Sequence, residues 1–142
     1  MQCAKLANGD FLFFMDDDNV AKPTELETLL TVVLQTNADA VACANDFFTD
    51  AHDPIKEPPL EHGRWVPLGP AELAGMFTNV YGDTNSLIKK SSFLAVGGFP
   101  EDYSYALEDW ELLARMVTHG IELLGSILAV RATCLQSNFS PC

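Results

Sequence analysis

Phe-Leu-Phe-Phe-Met-Asp-Asp-Asp-Asn, residues 11–19, is the stretch that decides the fold. Its first five residues are all apolar, and Gly9-Asp10 and Asp16 bound them. A short apolar run of this kind predicts a strand that is buried on both faces, as in a parallel sheet. Three carboxylates follow it directly, so they are expected beyond the carboxyl end of the strand, where open α/β sheets bind ligands.

The segments around this stretch predict a βαβ unit. Residues 1–9 read as the end of a helix that Asn8-Gly9 terminates, and Pro23 opens the next helix. That second helix has apolar residues at the spacing of one buried face: Leu26, Leu29, Leu30, Val33 and Leu34. A small apolar strand follows at residues 40–44. Strand, helix and strand in this order predict a parallel pair.

The rest of the chain predicts one α/β domain over residues 1–142. Five of the eight prolines lie between residues 48 and 70, so 49–70 is expected to be an extended loop. Further elements are expected as follows: a short helix at 71–77, a strand at 85–89, a short helix at 91–96 that ends at Gly97-Gly98, a helix at 105–119 and a closing strand at 121–130. Residues 131–142 are expected to form a loose tail.

Composition narrows the classes of partner. The formal net charge is -12, with 20 acidic and 8 basic residues, and no basic cluster exceeds Lys89-Lys90. Nucleic acid is therefore not expected as a partner. No apolar run reaches the roughly 18 residues of a membrane span, and the first ten residues lack the features of a signal peptide. We expect a cytoplasmic protein, at most peripheral at the cytosolic face of a membrane.

The acidic motif Asp16-Asp17-Asp18-Asn19 is the strongest candidate for chemistry. Adjacent carboxylates repel one another unless a cation or hydrogen bonds offset the repulsion. Oxygen ligands on a short loop suit Mg²⁺ or Mn²⁺, which take one or two carboxylates together with substrate phosphates. A solvated acidic turn that caps the following helix is the alternative. A calcium loop is poorly supported, because the Asp/Asn/Gly spacing of such loops is missing.

Two further segments carry candidate functional residues. Glu108-Asp109-Trp110-Glu111 places carboxylates beside aromatic residues, a setting in which one of them can act as a general base. The alternative is that these acids only stabilise the dipole of a helix N-terminus. Residues 82–86 are small or polar and precede a predicted strand, so they are candidates for an acceptor-sugar site or for an ordinary turn.

The order of these pieces resembles the family 2 glycosyltransferases of the GT-A fold. The amino-terminal part of the resemblance comprises Ala7-Asn8-Gly9-Asp10, the apolar run 11–15, Asp16-Asp17-Asp18-Asn19 and the helix from Pro23. The downstream part comprises residues 85–90, Val96-Gly97-Gly98-Phe99-Pro100, Glu108-Asp109-Trp110-Glu111-Leu112 and residues 114–120. The resemblance spans about residues 3–130. It implies a GT-A-like mixed sheet flanked by helices.

The resemblance also implies an activity and roles for particular residues. A hexosyltransferase-type enzyme would move a sugar from a nucleoside diphosphate donor to the hydroxyl of a saccharide, lipid or protein acceptor, with inversion. Mn²⁺ or Mg²⁺ would be held by Asp18 with Asp16, and Asp16 and Asp17 would contact the donor nucleotide. Asp109 matches the catalytic base. The remaining residues would shape the acceptor site: Asn85, Glu108 and Trp110.

One part of the family pattern has no counterpart in this chain. The strands that hold the nucleotide base would precede residue 11, so the expectation is a partial domain that is weakly active or inactive alone. An unpaired sheet edge near residues 11–15 would then be exposed. The alternative function is a truncated or degenerate transferase-like module that acts in binding or assembly without catalysis, as a homo-oligomer that pairs through this edge.

Overall fold

The computed structural model describes residues 2–49, 55–56, 63–101, 107–125 and 133–137. Its helices are α1 (Gln2–Leu6), α2 (Glu25–Thr36), α3 (Glu72–Gly75), α4 (Lys90–Ala95) and α5 (Glu108–Thr118). Its strands are β1 (Phe11–Phe14), β2 (Asn19–Val20), β3 (Ala40–Ala42), β4 (Ala44–Phe48), β5 (Arg64–Trp65), β6 (Ser86–Lys89), β7 (Leu123–Leu124) and β8 (Thr133–Ser137).

The main sheet contains four strands in the order β1-β6-β3-β7. Strand β6 runs antiparallel to both β1 and β3, whereas β3 and β7 are parallel. The helices pack on this mixed sheet, with α2 against β3 and β6 and with α4 against β6. This arrangement confirms the expectation of a mixed α/β, GT-A-like fold.

The two strands of the predicted βαβ unit run in the predicted direction, but they are not adjacent in the sheet. Strands β1 and β3 point the same way, because each is antiparallel to β6. They are not adjacent, however, since β6 lies between them. The prediction that β1 is buried on both faces is also wrong: Leu12 is buried, but Phe11, Phe13 and Phe14 are only partly so. The position of β1 at the edge of the sheet explains its partial exposure, because an edge strand has a neighbouring strand on one side only.

A second sheet has the order β2-β8-β4-β5. Strand β8 pairs parallel with β4 and antiparallel with β2, so residues 133–137 correct the expectation of a loose tail over 131–142. Strand β5 pairs with β4 within the predicted loop 49–70. Most of that loop, like residues 126–130 of the predicted closing strand, lies outside the described residues.

Helix α2 shows how tertiary contacts select among apolar residues. Leu29 and Val33 are buried as predicted, and Val32 is buried with them. Leu26, Leu30 and Leu34 face outward instead, with 51%, 38% and 67% of their surface exposed. The helix ends at Asn37, which adopts a left-handed conformation with φ 58°. Asparagine tolerates that conformation better than most residues, so it suits the turn between α2 and β3.

The Gly97-Gly98-Phe99 turn and Arg115 join α4 to α5. The Arg115 guanidinium donates to the carbonyl oxygens of Val96 at 2.9 Å and Gly98 at 2.6 Å. Both glycines have positive φ, at 86° and 71°, which a residue with a Cβ adopts only under strain. The turn directs Phe99 onto Phe14 and Phe93, with ring centroids 5.0 and 5.6 Å away. This motif therefore holds the fold together beneath the end of β1.

Within the described segments, no helix combines the length and the apolar character that crossing a membrane requires.

Candidate active site

Three segments bring carboxylates to one end of the main sheet. Asp16 follows the carboxyl end of β1, and Asp83 precedes β6. Because β1 and β6 are antiparallel, with Phe14 opposite Ser86, the end of one strand adjoins the beginning of the other. Helix α5 adds Glu108 and Asp109 in its first turn. The two acidic motifs that are more than 90 residues apart in sequence thus meet at one site.

Asp16 is the electrostatic centre of this site. Its pKa is raised from 3.8 to about 6, chiefly by burial and then by the negative charges of Asp83, Asp18 and Glu108. A hydrogen bond with the side chain of Thr84 works in the opposite direction. Because the charge of Glu108 acts on Asp16, the start of α5 lies near the Asp16–Asp18 corner, and we refer to this group of acids as the acidic cleft.

Asp83 belongs to the same cleft, and the sequence reasoning did not single it out. Burial raises its pKa, and Asp18 and Glu108 raise it as well. The Asn45 side chain donates a hydrogen bond to it at 2.7 Å, and Asn45 is 1% exposed. In the sequence Asp83 looks like a turn residue beside Gly82. The pairing of β6 with β1 would have identified Asp83, because an acid shortly before a strand antiparallel to β1 lies near Asp16. That pairing was not predicted from the sequence.

Asp109 is half-buried in the first turn of α5, close to Asp83 and Glu108. Burial raises its pKa to about 6, aided by the charges of Asp83 and Glu108 and opposed by the backbone N–H of Trp110. That N–H donates to Oδ1 at 2.6 Å, and the Asn79 side chain donates to Oδ2 at 3.2 Å. Both carboxylate oxygens are therefore held in place. A carboxyl with this pKa exchanges protons near neutral pH, as a general base must.

The other predicted site residues lie around these acids. Asp17 and Asp18 are exposed, and Glu108 is half-buried. Trp110 is also half-buried: its indole N–H donates to the carbonyl oxygen of Gly75 at 2.9 Å, so the ring is fixed between α5 and α3. Trp110 also lines a hollow of about 300 Å³ together with Leu107, Glu111 and Ala114.

Asn85 is enclosed by the fold. It is 0% exposed, and its role in acceptor binding stays a prediction. Among the described residues, neither polar atom of its side chain has a hydrogen-bond partner, and the same is true of Asn19, which is 8% exposed. Unsatisfied buried amides cost about 1–3 kcal/mol each; Asn19 directly follows Asp18, and Asn85 follows Asp83 by two residues.

Lys89 and Lys90 have a structural role at the end of the sheet opposite the acidic residues. The Lys90 ammonium donates to the carbonyl oxygens of Ala7 at 2.6 Å and Lys5 at 3.2 Å, at the end of α1. Lys89 lies 3.7 Å from Asp39. Among the described residues, the contacts of these two lysines therefore lie away from the acidic residues of the site.

The chemistry of these donors fits a divalent cation. Asp16 and Asp18 sit in one turn, and burial followed by repulsion from Asp83, Asp18 and Glu108 raises the pKa of Asp16. Within the described part of the chain, the buried amide of Asn19 in the same turn has no hydrogen-bond partner. Among the described residues, no three His, Cys, Asp or Glu side chains converge in a geometry that would hold a metal by themselves. Mg²⁺ commonly takes one or two carboxylates and completes its shell with water and substrate phosphates.

The amino-terminal two-thirds of the chain match a known family. The model described as "Glycosyl transferase family 2" matches residues 1–94. The chain belongs to glycosyltransferase family 2. The match includes the Asp16–Asp18 corner and Asp83, whereas α5 with Asp109 lies beyond it. No curated protein matches the chain.

Membership of glycosyltransferase family 2 establishes the activity at a general level: the domain is a transferase domain of the sugar-transferring kind. It therefore binds a nucleotide sugar and an acceptor in general terms. Members of the family commonly use divalent metals, in agreement with the donor chemistry of the cleft.

Proposed function

We propose that this family 2 glycosyltransferase moves a hexose from a nucleoside diphosphate donor to an acceptor hydroxyl, with inversion, and that it depends on Mn²⁺ or Mg²⁺. One observation carries the proposal. The pKa values of half-buried Asp109 and of Asp16 are both raised to about 6, and the charges of Asp83 and Glu108 contribute to both shifts. These shared neighbours support a site in which a proton acceptor and a cation-binding corner act on one substrate.

Each acidic residue then has a distinct task. Asp18 and Asp16 hold the cation, and Asp17 together with Asp16 contacts the nucleotide. The bound cation offsets the negative charge that develops on the diphosphate leaving group. Asp109 accepts the proton of the acceptor hydroxyl as its oxygen attacks the anomeric carbon from the face opposite the leaving group. Glu108 and Trp110 shape the acceptor side.

The protonation state of Asp109 agrees with this task. Because its pKa is about 6, most molecules carry the ionised, proton-accepting form at pH 7. The N–H of Trp110 and the amide of Asn79 fix the two oxygens, so the carboxylate is oriented before the acceptor arrives. Such orientation is a large part of what a general base contributes.

A melting assay tests the nucleotide and metal sites. We expect millimolar Mn²⁺ with a nucleoside diphosphate, UDP or GDP, to raise the melting temperature. Asp18→Ala should abolish the shift. Asp10→Ala is the matched control, because Asp10 is an exposed acid at the other end of β1. A wild-type chain that shows no shift with either nucleotide would count decisively against the proposal.

A second candidate function is supported by the edge of the main sheet. Strand β1 pairs with β6 on one side and is the terminal strand of that sheet among the described residues. The exposed residues Leu26, Leu30 and Leu34 line α2, which packs against the same sheet. An unpaired edge and an apolar stripe are features of an assembly surface, so a non-catalytic module that forms a homo-oligomer through this edge is the alternative.

The two candidates make opposite predictions. The assembly module should form a concentration-dependent dimer that Leu30→Lys disperses, and it should not respond to metal and nucleotide. A monomer that gains thermal stability from Mn²⁺ and nucleotide supports the transferase and rejects the module. Sedimentation velocity measures the oligomeric state, and thermal melts of the same preparation with and without the ligands measure the response to metal and nucleotide.

A further inference from the structure

Asn45 is a buried polar residue to which the proposed mechanism gives no task. It lies on β4 and is 1% exposed, and its side-chain amide donates a hydrogen bond to Oδ2 of Asp83 at 2.7 Å. Strand β4 belongs to the second sheet, whereas Asp83 precedes β6 of the main sheet. This hydrogen bond therefore ties the second sheet to the acidic cleft.

The carboxylate of Asp83 is held from two sides. Its Oδ1 accepts the backbone N–H of Thr84 at 2.8 Å, and its Oδ2 accepts the amide of Asn45. Each oxygen of a carboxylate can accept more than one hydrogen bond, and Asp83 is only half-buried. The carboxylate is thus oriented by the protein and keeps the capacity to accept a hydrogen bond from a ligand.

The residue after Asp83 connects it to the cation-binding corner. The side chain of Thr84 forms a hydrogen bond with Asp16. This contact follows from the pairing of β1 with β6, because Phe14 lies opposite Ser86 and the same alignment brings the next residues of both segments together.

The residue before Asp83 connects it to the proposed base. One nitrogen of the Asn79 side chain donates both to the carbonyl oxygen of Gly82, at 2.8 Å, and to Oδ2 of Asp109, at 3.2 Å. Because both oxygens accept from one nitrogen, they are no more than about 6 Å apart. Asp83 therefore lies close to the proposed base as well as to the cation-binding corner.

The proposed reaction identifies what occupies the space between these two groups. The cation holds the diphosphate, and Asp109 accepts the proton of the acceptor hydroxyl. The transferred sugar lies between them, because its anomeric carbon is bonded to the diphosphate and is attacked by the acceptor oxygen. A sugar presents several hydroxyl donors, and hydrogen bonds to an ionised acceptor are the stronger ones.

We propose that Asp83 accepts a hydrogen bond from a hydroxyl of the transferred sugar and that Asn45 is a positioning residue, which fixes the Asp83 carboxylate for this contact. This inference rests on the proposed function and adds to it a residue that recognises the donor sugar. It also gives a use to a polar side chain in the interior of β4, since a buried amide is costly unless it forms hydrogen bonds.

Titration calorimetry with the full chain and millimolar Mn²⁺ tests the proposal. The probes are UDP and GDP, together with UDP-glucose, UDP-N-acetylglucosamine and GDP-mannose. The ratio of the Kd of a nucleotide sugar to the Kd of its nucleoside diphosphate isolates the contribution of the sugar. We expect Asp83→Ala to raise this ratio about tenfold and Asn45→Ala to raise it about threefold. Both variants should bind the nucleoside diphosphate as the wild type does.

A double-mutant cycle separates positioning from a general loss of stability. In the Asp83→Ala background, Asn45→Ala should leave the ratio unchanged, because a residue that acts through another has no effect once the other is removed. Val41→Ala is the matched control: Val41 is 0% exposed on β3, so this variant should lower the free energy of unfolding and keep the wild-type ratio. Asp83→Asn, which keeps an oxygen for Asn45, serves in place of Asp83→Ala if that variant fails to fold.

The outcomes separate this proposal from the proposed function. A wild-type chain that binds nucleoside diphosphate but none of the nucleotide sugars overturns the sugar contact alone, as does an unchanged ratio in Asp83→Ala. Loss of nucleoside diphosphate binding in Asp83→Ala also overturns it, because Asp83 then serves the cation. Equal effects of Asn45→Ala with and without Asp83 overturn the positioning role. A wild-type chain that binds neither nucleoside diphosphate rejects the proposed function, and the sugar contact with it.

Discussion

The side-chain amide of Asn79 donates to Asp109 at 3.2 Å and, from the same nitrogen, to the carbonyl oxygen of Gly82 at 2.8 Å. Its own oxygen accepts the backbone N–H of Tyr81 at 3.1 Å. One residue thus ties the proposed base to the turn that leads to Asp83. Gly82 is required there, because an added Cβ would stand 2.4 Å from that of Ala42. Asn79 is therefore a positioning residue for Asp109.

Replacing Asn79 should change the acid–base behaviour of the site. A donor stabilises the ionised form of a carboxyl, so Asn79→Ala should raise the pKa of Asp109 above its value of about 6. We expect kcat to fall about tenfold at pH 7, since a hydrogen bond to a charged group contributes about 1.5–3 kcal/mol. The pH profile of kcat measures this. A fall in rate with an unchanged pH profile would indicate a structural role only, and Asn8→Ala, an exposed amide at the end of α1, is the control.

The proposed base itself should be indispensable for transfer but not for folding. Asp109→Asn removes the proton acceptor and keeps the shape, so transfer should fall by about 10²–10⁴. The same variant should be more stable than the wild type at pH 7, because an ionised carboxylate is no longer half-buried among like charges. Chemical unfolding and a sugar-transfer assay on one preparation measure both effects. An active Asp109→Asn would rule out Asp109 as the base.

The raised pKa values of Asp109 and Asp16 predict that the free enzyme gains stability on mild acidification. Both change from 3.8 to about 6 on folding, so the folded chain binds more protons than the unfolded chain between these values. The free energy of unfolding should rise as pH falls from 7 towards 4, with the stabilisation complete below pH 3.8. After discounting for solvent exposure, we expect on the order of 1 kcal/mol per group. Asp109→Asn should remove its share of this slope in thermal melts from pH 7 to 5.

Asp83 should matter for the charge of the cleft, a role beyond the acceptor site or turn predicted for residues 82–86. It heads the charged groups that raise the pKa of Asp16, so Asp83→Asn should lower that pKa. An NMR titration of the Asp16 carboxyl measures this change directly. The neighbouring hydrogen bond from Asn45 suits an amide oxygen as well, so the fold should be retained. An unchanged titration would show that Asp83 and Asp16 are electrostatically independent.

The buried carboxylate of Asp46 should be important for stability rather than activity. Burial acts to raise its pKa, but hydrogen bonds from Arg64 and Lys22 lower it, and its side chain is 0% exposed. Breaking a fully buried pair costs about 3–5 kcal/mol; with Lys22 and Arg64 at 26% and 46% exposure, we expect about 2 kcal/mol for Asp46→Ala at pH 7. The depressed pKa means that this stabilisation exists above pH 3.8 and is lost only below it. Urea unfolding at pH 7 tests the value, with Asp10→Ala as the control.

Local signals in the chain identified elements correctly where short-range chemistry decides. The apolar run before Asp16 became β1, the acidic first turn after Pro23 became α2, and Asn37 ended that helix with a positive φ. The acids of α5 were placed correctly at a helix start. In each case the deciding interactions lie within a few residues, so the sequence pattern contains them.

The strand–acid motif of residues 11–19, the helices around it and the resemblance to a transferase family could be recognised from the amino-acid sequence alone. Apolar periodicity, capping residues and motif order are local properties, so the sequence contains them. The position of β6 between β1 and β3 became known only from the folded chain. The same is true of the approach of Asp83 to Asp16, the burial of Asn85 and the hydrogen bond from Asn79 to Asp109. Strand pairing joins segments some 70 residues apart, and its energy depends on how whole faces pack rather than on any short stretch of chain.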